Sequence, residues 1–477
     1  MTLTKSLLLG SAASIVVIAS AQAADLPTKK GAPAAEYVRI CSVTVNGKPV
    51  VGWTLPGSDT CFKLSGYITG QIEGGNLKNG QTTIYSGPGV GTQTTTPIRG
   101  VGATGATGRP EFGYNTRLNF GFDAVSNTSY GPLVAHAEMQ YENGNGFDND
   151  VAAPNGGSAA YLNLAYVTWA GITAGKAPSF FSFTGGGAGW NNFFSPDQQG
   201  FNQPDVLAYT ASFGGGFSAS IAIQSPGSNG VSGGGTDFNG VSGTNFIVHP
   251  IGVDYTFNGQ SQPDIVANLK VSQGWGSALL SGVAHEVDVT GFNGLLQQKE
   301  GFAFDAGVGI NLPTLGAGDQ ILLTGAWSRN AVWFSGLPDA MDGENGATNG
   351  NGQQMALADT YENPSGASFA TPTAWSISSE FDHHFSPEIT VSAEGSYGEV
   401  TWAGTDATSV VSNSKSWVAG LVGHWDPVKN LDFEMEVLYQ NTFTTQPNGF
   451  VVAPGTNAAW QPRADGFETR FEVTRNW

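Results

Sequence analysis

The chain ends in the stretch GFETRFEVTRNW, residues 466–477, in which two kinds of side chain alternate. The mostly apolar set comprises Phe467, Thr469, Phe471, Val473, Arg475 and Trp477, and the residues between them are all polar. Because successive side chains of a strand point to opposite faces, this pattern predicts an amphipathic β-strand. An oily face, a wet face and a terminal aromatic residue favour the closing strand of a transmembrane β-barrel. The last strand of a soluble β-sandwich is the alternative.

The same alternation recurs along the chain. In 62–73, FKLSGYITGQIE, the apolar face carries no charge, while Lys63 and Glu73 lie on the other face. In 431–441 the apolar face is unbroken, and Asp432, Glu434 and Glu436 share the opposite one. Edge strands of a sandwich tend to carry charges that block pairing, and these strands show no such charges on their aromatic-rich faces. The pattern therefore favours the membrane barrel.

Short and long connections alternate between the predicted strands. The short turns are expected at 127–131, 214–216, 273–276, 311–319, 384–388 and 426–430, and the long loops at 74–110, 143–158, 178–203, 226–262, 290–300, 331–371, 401–412 and 443–463. This asymmetry is typical of outer-membrane barrels, with short periplasmic turns and long external loops. The weakest strand candidate, 247–257, contains Pro250 and would make the number odd, so we interpret it as loop. We predict an all-β, antiparallel barrel of about 16 strands.

Composition limits the possible partners. Charged residues are 12% of the 477 residues, about half the usual share. The formal net charge of −19 argues against a nucleic-acid partner. Residues 331–371 include five acidic residues and no Lys or Arg, namely Asp339, Asp342, Glu344, Asp359 and Glu362. We expect this loop to be solvated, with divalent ions shared with lipopolysaccharide as the alternative.

The first residues read as an export signal. Lys5 precedes a short apolar run, and Ala21-Gln22-Ala23 fits the small-x-small cleavage pattern. We predict a signal peptide at 1–23, a periplasmic N-terminal lead-in at 24–61 and the barrel at 62–477. Cys41 and Cys61 lie in an exported chain, so a disulfide between them is expected. Its loop of about 20 residues would contribute about 3 kcal/mol.

Several segments resemble the general porins of alphaproteobacterial outer membranes. The likeness is clearest in ADLPTKKGAPAAEYVRICS (24–42) and PGSDTCFKLSGY (56–67), and it continues in 166–183, 267–287 and 311–323. The final Trp477 departs from the family, in which Phe is commoner. The resemblance implies a homotrimer of 16-stranded barrels in the outer membrane of a Gram-negative bacterium, passing small hydrophilic solutes and ions by diffusion. The expected partners are outer-membrane lipid, lipopolysaccharide and the barrel-assembly machinery, which would engage the C-terminal strand. No cofactor, metal or catalytic residue is expected.

A barrel of 16 strands leaves an aqueous channel, and the segment 178–203 is the candidate constriction loop. It is the third long loop and carries aromatic residues that water would not favour, among them Phe180, Phe181, Phe183, Trp190, Phe193 and Phe194. By resemblance to porins, this loop would fold into the lumen and pack on the wall. An outer cap or a subunit contact is the alternative.

Inward charges would set selectivity. Strand parity points Lys63, Arg117 and Arg470 into the lumen from three strands that become neighbours on closure, and Asp197 and Asp205 lie on or beside the third loop. A basic wall facing acidic loop residues would create a transverse field. Alternatively, the three bases only neutralise inward acids such as Glu73, Asp123, Glu468 and Glu472. Because 38 acids face 19 bases, we expect a weak cation preference.

Other functions fit less well. None of the six histidines lies in a HExxH or GxSxG setting, and GGGAG at 185–189 lacks the Lys-Ser/Thr of a phosphate loop. A substrate-specific channel and a soluble exported all-β binding protein remain as alternatives.

Overall fold

The structure is a computed structural model that describes residues 38–75, 81–82, 96–97, 100–102, 106–109, 112–144, 157–183, 203–225, 256–259, 261–290, 295–337, 359–446 without 364, 367 and 410, residue 448, and 463–477. The expected signal peptide, 1–23, lies outside these residues. No helix in the described ranges is long and apolar enough to cross a membrane.

Within the described residues, sixteen antiparallel strands form a closed ring. They are β1 (Cys61–Gly75), β2 (Phe112–Thr128), β3 (Gly131–Gly144), β4 (Gly157–Trp169), β5 (Ile172–Lys176), β6 (Asp205–Gly214), β7 (Phe217–Gln224), β8 (Asp264–Gln273), β9 (Gly276–Thr290), β10 (Leu296–Asn311), β11 (Gln320–Arg329), β12 (Phe369–Ser386), β13 (Ile389–Ala403), β14 (Ser414–Val428), β15 (Leu431–Thr444) and β16 (Arg463–Asn476). Each strand pairs with the next. The ring closes where β16 pairs with β1, from Glu468 opposite Gly75 to Asn476 opposite Tyr67. The expected strand number and the closing role of the terminal strand are confirmed.

The two faces of the strands differ as the alternation predicts. In β15, Met435 and Val437 are exposed, whereas Glu434 and Glu436, which alternate with them, are buried. Large apolar side chains are exposed all round the outside, including Leu64, Ile68, Leu207, Tyr209, Leu269, Leu280, Phe304, Ile377, Leu421 and Phe471. A continuous apolar outer surface over a polar inner one is the surface of a barrel in lipid.

The connections divide between the two ends of the ring. One end has the short turns, including 170–171, which the sequence did not suggest and where Ala170 and Gly171 both have positive φ. The other end has the long loops. The connection expected at 290–300 is shorter than predicted, since β9 reaches Thr290 and β10 begins at Leu296.

The candidate strand 247–257 adds no member to the ring. Residues 247–255 lie outside the described part of the chain. Thr256–Gly259 is a short strand that pairs with the end of β9, with Thr256 opposite Thr290, beyond the segment of β9 that pairs with β8.

The described part of the N-terminal lead-in is a β-hairpin, Arg39–Val45 and Lys48–Thr54. It turns at Asn46 and Gly47, both at positive φ, and joins β1 through the pair Thr54 and Cys61. The Cys41–Cys61 disulfide links it to the first residue of the barrel, with the two Cα atoms 5.7 Å apart.

This hairpin lies on the inner wall at the short-turn end. Val43 is buried against Cys61, Val125 and Val134, which belong to β1, β2 and β3. Val125 and Val134 share the inward face with Asp123 and His136, two residues away on their strands. The hairpin therefore borders one mouth of the lumen.

Candidate functional site

Residues 177–183, which follow β5, fold against the inner wall and are called here the first inserted segment. Phe181 is 1% exposed. It belongs to a buried apolar cluster that includes inward-facing residues of five consecutive strands, β6 to β10: Ala208, Ala222, Val266, Val283 and Ala303. Asn268 Nδ2 donates to the carbonyl of Phe180 at 2.6 Å, and Ser281 Oγ donates to that of Phe181 at 2.5 Å. The wall thus supplies both an apolar surface and hydrogen bonds for the segment.

Phe183 lies where the wall lacks a side chain. A Cβ placed on Gly307 of β10 would overlap the Phe183 ring, and one on Gly309 would lie 3.6 Å from its tip. The two glycines therefore let the segment approach the wall closely. Of the predicted constriction residues, Trp190, Phe193, Phe194 and Asp197 lie outside the described residues.

A second stretch also enters the lumen. Residues 331–337 and 359–363, which lie between β11 and β12, are called here the second inserted segment, and they include the 3₁₀ turn Val332–Ser335. Phe334 makes an edge-to-face contact with Phe181, with ring centroids 5.0 Å apart. The side chain of Leu337 is fully buried and occupies the space above Gly398 of β13. The two inserted segments therefore meet on the inner side of the barrel wall.

A buried histidine fastens the second segment to the wall. His285 of β9 has Nδ1 2.7 Å from Asp264 Oδ1 of β8 and Nε2 3.3 Å from Asp359 Oδ2. The backbone N–H of Val332 donates to the other oxygen of Asp359 at 2.6 Å. The imidazole thus lies between a wall carboxylate and a segment carboxylate.

This burial corrects the sequence expectation for the loop at 331–371. Asp359 and Glu362 were expected to be solvated, but both are buried in the second inserted segment. Asp339, Asp342 and Glu344 lie outside the described residues. The signal that could have shown the insertion was the apolar run AVWFSGL at 331–337, which water disfavours for the same reason as the aromatic residues of 178–203.

The three predicted bases lie on the inward faces of adjacent strands. Arg117 on β2 forms an ion pair with Glu142, and Arg470 on β16 has its Nε 3.9 Å from Glu436 Oε2. Lys63 lies opposite Asp123 in the register of β1 and β2. Each base therefore has an acid as its neighbour across the sheet.

These bases do not lie at one height. Lys63 itself belongs to β1, Arg117 is opposite Thr69, and Arg470 is opposite Glu73. The spread from 63 to 73 along β1 corresponds to about 34 Å at about 3.4 Å per residue. Asp205 lies on the outer face of β6, exposed beside Leu207, and opposite Lys176 in register, so it does not point at the bases.

The inner faces of β12 to β16 are acidic. Seven carboxylates point inward among the described residues: Glu380, Asp382, Glu394, Asp432, Glu434, Glu436 and Glu472. Arg470 is the single Lys or Arg whose described side chain faces the lumen there. Glu380 lies directly opposite Glu394, and Glu434 directly opposite Glu472. This part of the wall attracts positive charge.

Comparisons with known proteins agree with this architecture. A family model described as "Porin subfamily" matches residues 25–461. Porin Omp2a of Brucella ovis is 29% identical over 288 residues, covering 57% of this chain and 68% of that protein. Porin Omp2b of Brucella suis is 29% identical over 279 residues, covering 57% of this chain and 63% of that protein, which is less than two thirds of its length.

A solved structure supports the fold. The outer membrane channel DcaP of Acinetobacter baumannii superposes with a TM-score of 0.55 at 12% identity, covering 88% of this chain and 97% of that one. The same conclusion follows from the closed ring with its apolar outside and polar inside and from the family match over residues 25–461. The chain belongs to the porin subfamily and is an outer-membrane porin.

Proposed function

We propose that the lumen is a passive, water-filled channel for small hydrophilic solutes and ions, narrowed by the two inserted segments and weakly selective for cations. The selectivity proposal rests on the inner face of β12 to β16. Among its described side chains, this face carries seven carboxylates and one guanidinium, that of Arg470. The proposal includes no catalytic step.

The preference for cations follows from electrostatics. Charges along a narrow passage with low-dielectric walls concentrate ions of the opposite sign. Arg117 is paired with Glu142, and Arg470 lies near Glu436, so these bases offset acids rather than form a free basic surface. The acids on β12 and β13 then dominate the field that a permeating ion meets.

Reversal potentials across planar bilayers in a salt gradient test the selectivity. We expect a cation-selective sign, reduced in the variant Glu380→Gln/Glu394→Gln. The matched control is Glu388→Gln, which changes an exposed acid in the turn between β12 and β13 and should leave the sign and size unchanged. A clear anion preference of the native protein would refute the selectivity proposal.

Liposome swelling tests whether the channel is general. Sugars and amino acids of graded size should enter at rates that fall smoothly with size, because a passage without a binding pocket discriminates by steric hindrance. Fast entry of one solute, out of sequence with its size, would instead indicate a substrate-specific channel.

We also propose that the protein is a homotrimer in the outer membrane, in contact with lipid and lipopolysaccharide, and that the barrel-assembly machinery engages β16. The trimer is what the resemblance of the sequence to general porins implies. Native mass spectrometry of the detergent-extracted protein should give three times the chain mass, and a monomer that still conducts would contradict this assembly.

A further inference from the structure

A histidine and two carboxylates converge on the inner wall near the short-turn end. His424 of β14 lies directly opposite Glu434 of β15, and Asp432 lies two residues before Glu434 on the same inward face. One ligand atom from each of the three residues lies within 4.8 Å of the others. His424 Nδ1 and Asp432 Oδ2 are already 2.9 Å apart.

Two oxygens of this cluster have no hydrogen-bond donor within the described ranges. Glu434 is 2% exposed, and its buried Oε1 has no partner among the described residues. Oδ1 of Asp432 is also buried without a partner in the described part of the chain. Burying a carboxylate oxygen without a donor or a cation is unfavourable. The cluster therefore has the donor atoms of a cation site and unmet demand for positive charge.

The surrounding charges increase that demand. Glu472 of β16 is opposite Glu434, and Asp426 is close enough to Asp432 and His424 for their charges to interact. The guanidinium of Arg470 is opposite Glu436, one step further along the sheet. The charges around the cluster are thus mainly negative.

We propose that His424, Asp432 and Glu434 bind a divalent metal ion on the lumen wall, and that the site is suited to Zn²⁺. One imidazole nitrogen with carboxylate oxygens is a ligand set used by Zn²⁺, whereas Mg²⁺ and Ca²⁺ favour oxygen ligands alone. The ion would neutralise part of the acidic wall. The binding itself does not depend on the proposed conduction, because it concerns only the side chains of β14 and β15.

The chain contains a matched control cluster. His136 lies between Asp123, 2.7 Å from Nδ1, and Glu138, 3.2 Å from Nε2. Asn119 and Asn163 each donate to the second oxygen of Glu138, at 3.3 and 3.2 Å. Because both ring nitrogens and the Glu138 carboxylate have partners, this cluster has no comparable demand for a cation.

Isothermal titration of the metal-free trimer in detergent with ZnCl₂ tests the site. We expect saturable binding of one ion per chain at neutral pH. The variants His424→Gln and Glu434→Gln should each weaken it by more than the roughly 10-fold that loss of an outer-shell partner causes. His136→Gln should bind as the native protein does, and Mg²⁺ should not compete at equal concentration.

Heat-modifiable migration on gels confirms that each variant is folded before titration. Binding that is absent in the native protein, or equal in native, His424→Gln and Glu434→Gln chains, would overturn the proposal. A second readout separates this result from the channel proposal. Zn²⁺ should reduce the cation preference of the native channel but not that of His424→Gln, whereas failure of the channel proposal would leave the titration unaffected.

Discussion

The inner face of β10 has no side chain at Gly307, and the ring of Phe183 occupies that place. Gly307→Ala would put a methyl group into the ring, and such overpacking costs about 1–3 kcal/mol. We expect the first inserted segment to move off the wall and single-channel conductance to change from its native value. The control is Gly70→Ala, because a Cβ at Gly70 meets no atom of the described part of the chain within 4 Å. Equal conductance of native and Gly307→Ala channels would contradict the close approach.

Asp319, in the connection between β10 and β11, controls a pH-sensitive contact. The backbone N–H of His384 donates to Oδ1 at 2.9 Å, and His383 Nδ1 lies 2.7 Å from Oδ2. These interactions, the N–H first, hold the pKa of Asp319 below its ordinary value. The depressed pKa means that the contact stabilises the fold above the unfolded pKa of about 3.9 and is lost as pH falls through the folded pKa.

The expected result is a loss of hydrogen-exchange protection in 312–319 as the pH falls below about 4. Asp319→Asn should lack this pH-dependent step, because its side chain does not titrate. Glu388→Gln, a change in the turn that follows β12, should keep it. Protection that is independent of pH in the native chain would show that Asp319 contributes nothing there.

The two inserted segments hold each other through Phe181 and Phe334, whose rings contact edge to face at 5.0 Å. A double-mutant cycle with Phe181→Ala and Phe334→Ala should give a coupling of about 0.5–1.5 kcal/mol in the free energy of unfolding. Both single variants should also raise conductance, because each frees one segment. Phe304→Ala, on the lipid-facing side of β10, is the control that should leave conductance unchanged. Additive effects of the pair would show that the segments act independently.

The N-terminal hairpin is held to the barrel by the Cys41–Cys61 disulfide and by the burial of Val43. The bond closes a loop of 20 residues, worth about 3 kcal/mol in the chain-entropy model. In a Cys41→Ser/Cys61→Ser variant, backbone exchange in 39–54 should accelerate while β15 stays protected. Thr44→Ala changes the hairpin and leaves the disulfide in place, so it should behave as native. Unchanged exchange in the double variant would mean that strand pairing alone holds the hairpin.

Trp477 contacts β1 where the ring closes. The backbone N–H of Trp477 donates to Gly66 O at 3.0 Å, and the indole lies over Gly66, where a Cβ would come within 2.7 Å of it. Trp477→Ala should remove about 1–2 kcal/mol, since the indole is about half buried. After equal refolding times, the folded fraction seen on unboiled gels should be lower for Trp477→Ala than for the native chain. Phe467→Ala, equally exposed at the other end of β16, is the control, and an equal loss there would refute a special role for the terminus.

The ring could be predicted because the residues of each strand alternate between apolar side chains that face lipid and polar side chains that face the lumen. In β15, Met435 and Glu434 show this alternation. The second inserted segment could not be predicted, because its contacts are between distant parts of the chain. His285 meets Asp359 74 residues later. The five acidic residues of the loop at 331–371 also suggested that this loop is solvated. The sequence did not show on which face of β6 Asp205 lies. A shift of one residue in the start of a strand moves each side chain to the opposite face, and the preceding loop does not fix where β6 starts.

The hairpin beneath one opening gives the conduit two unlike entrances. A solute that enters from the short-turn end first passes the hairpin, whereas one that enters from the long-loop end first meets the inserted segments at Phe181 and Phe334. An ion therefore meets the charges and widths of the lumen in opposite orders from the two ends, and an applied voltage drives different currents in the two directions. We therefore expect the proposed channel to rectify, so that the current–voltage curve of a single oriented molecule bends and inverting the molecule in the membrane inverts the bend.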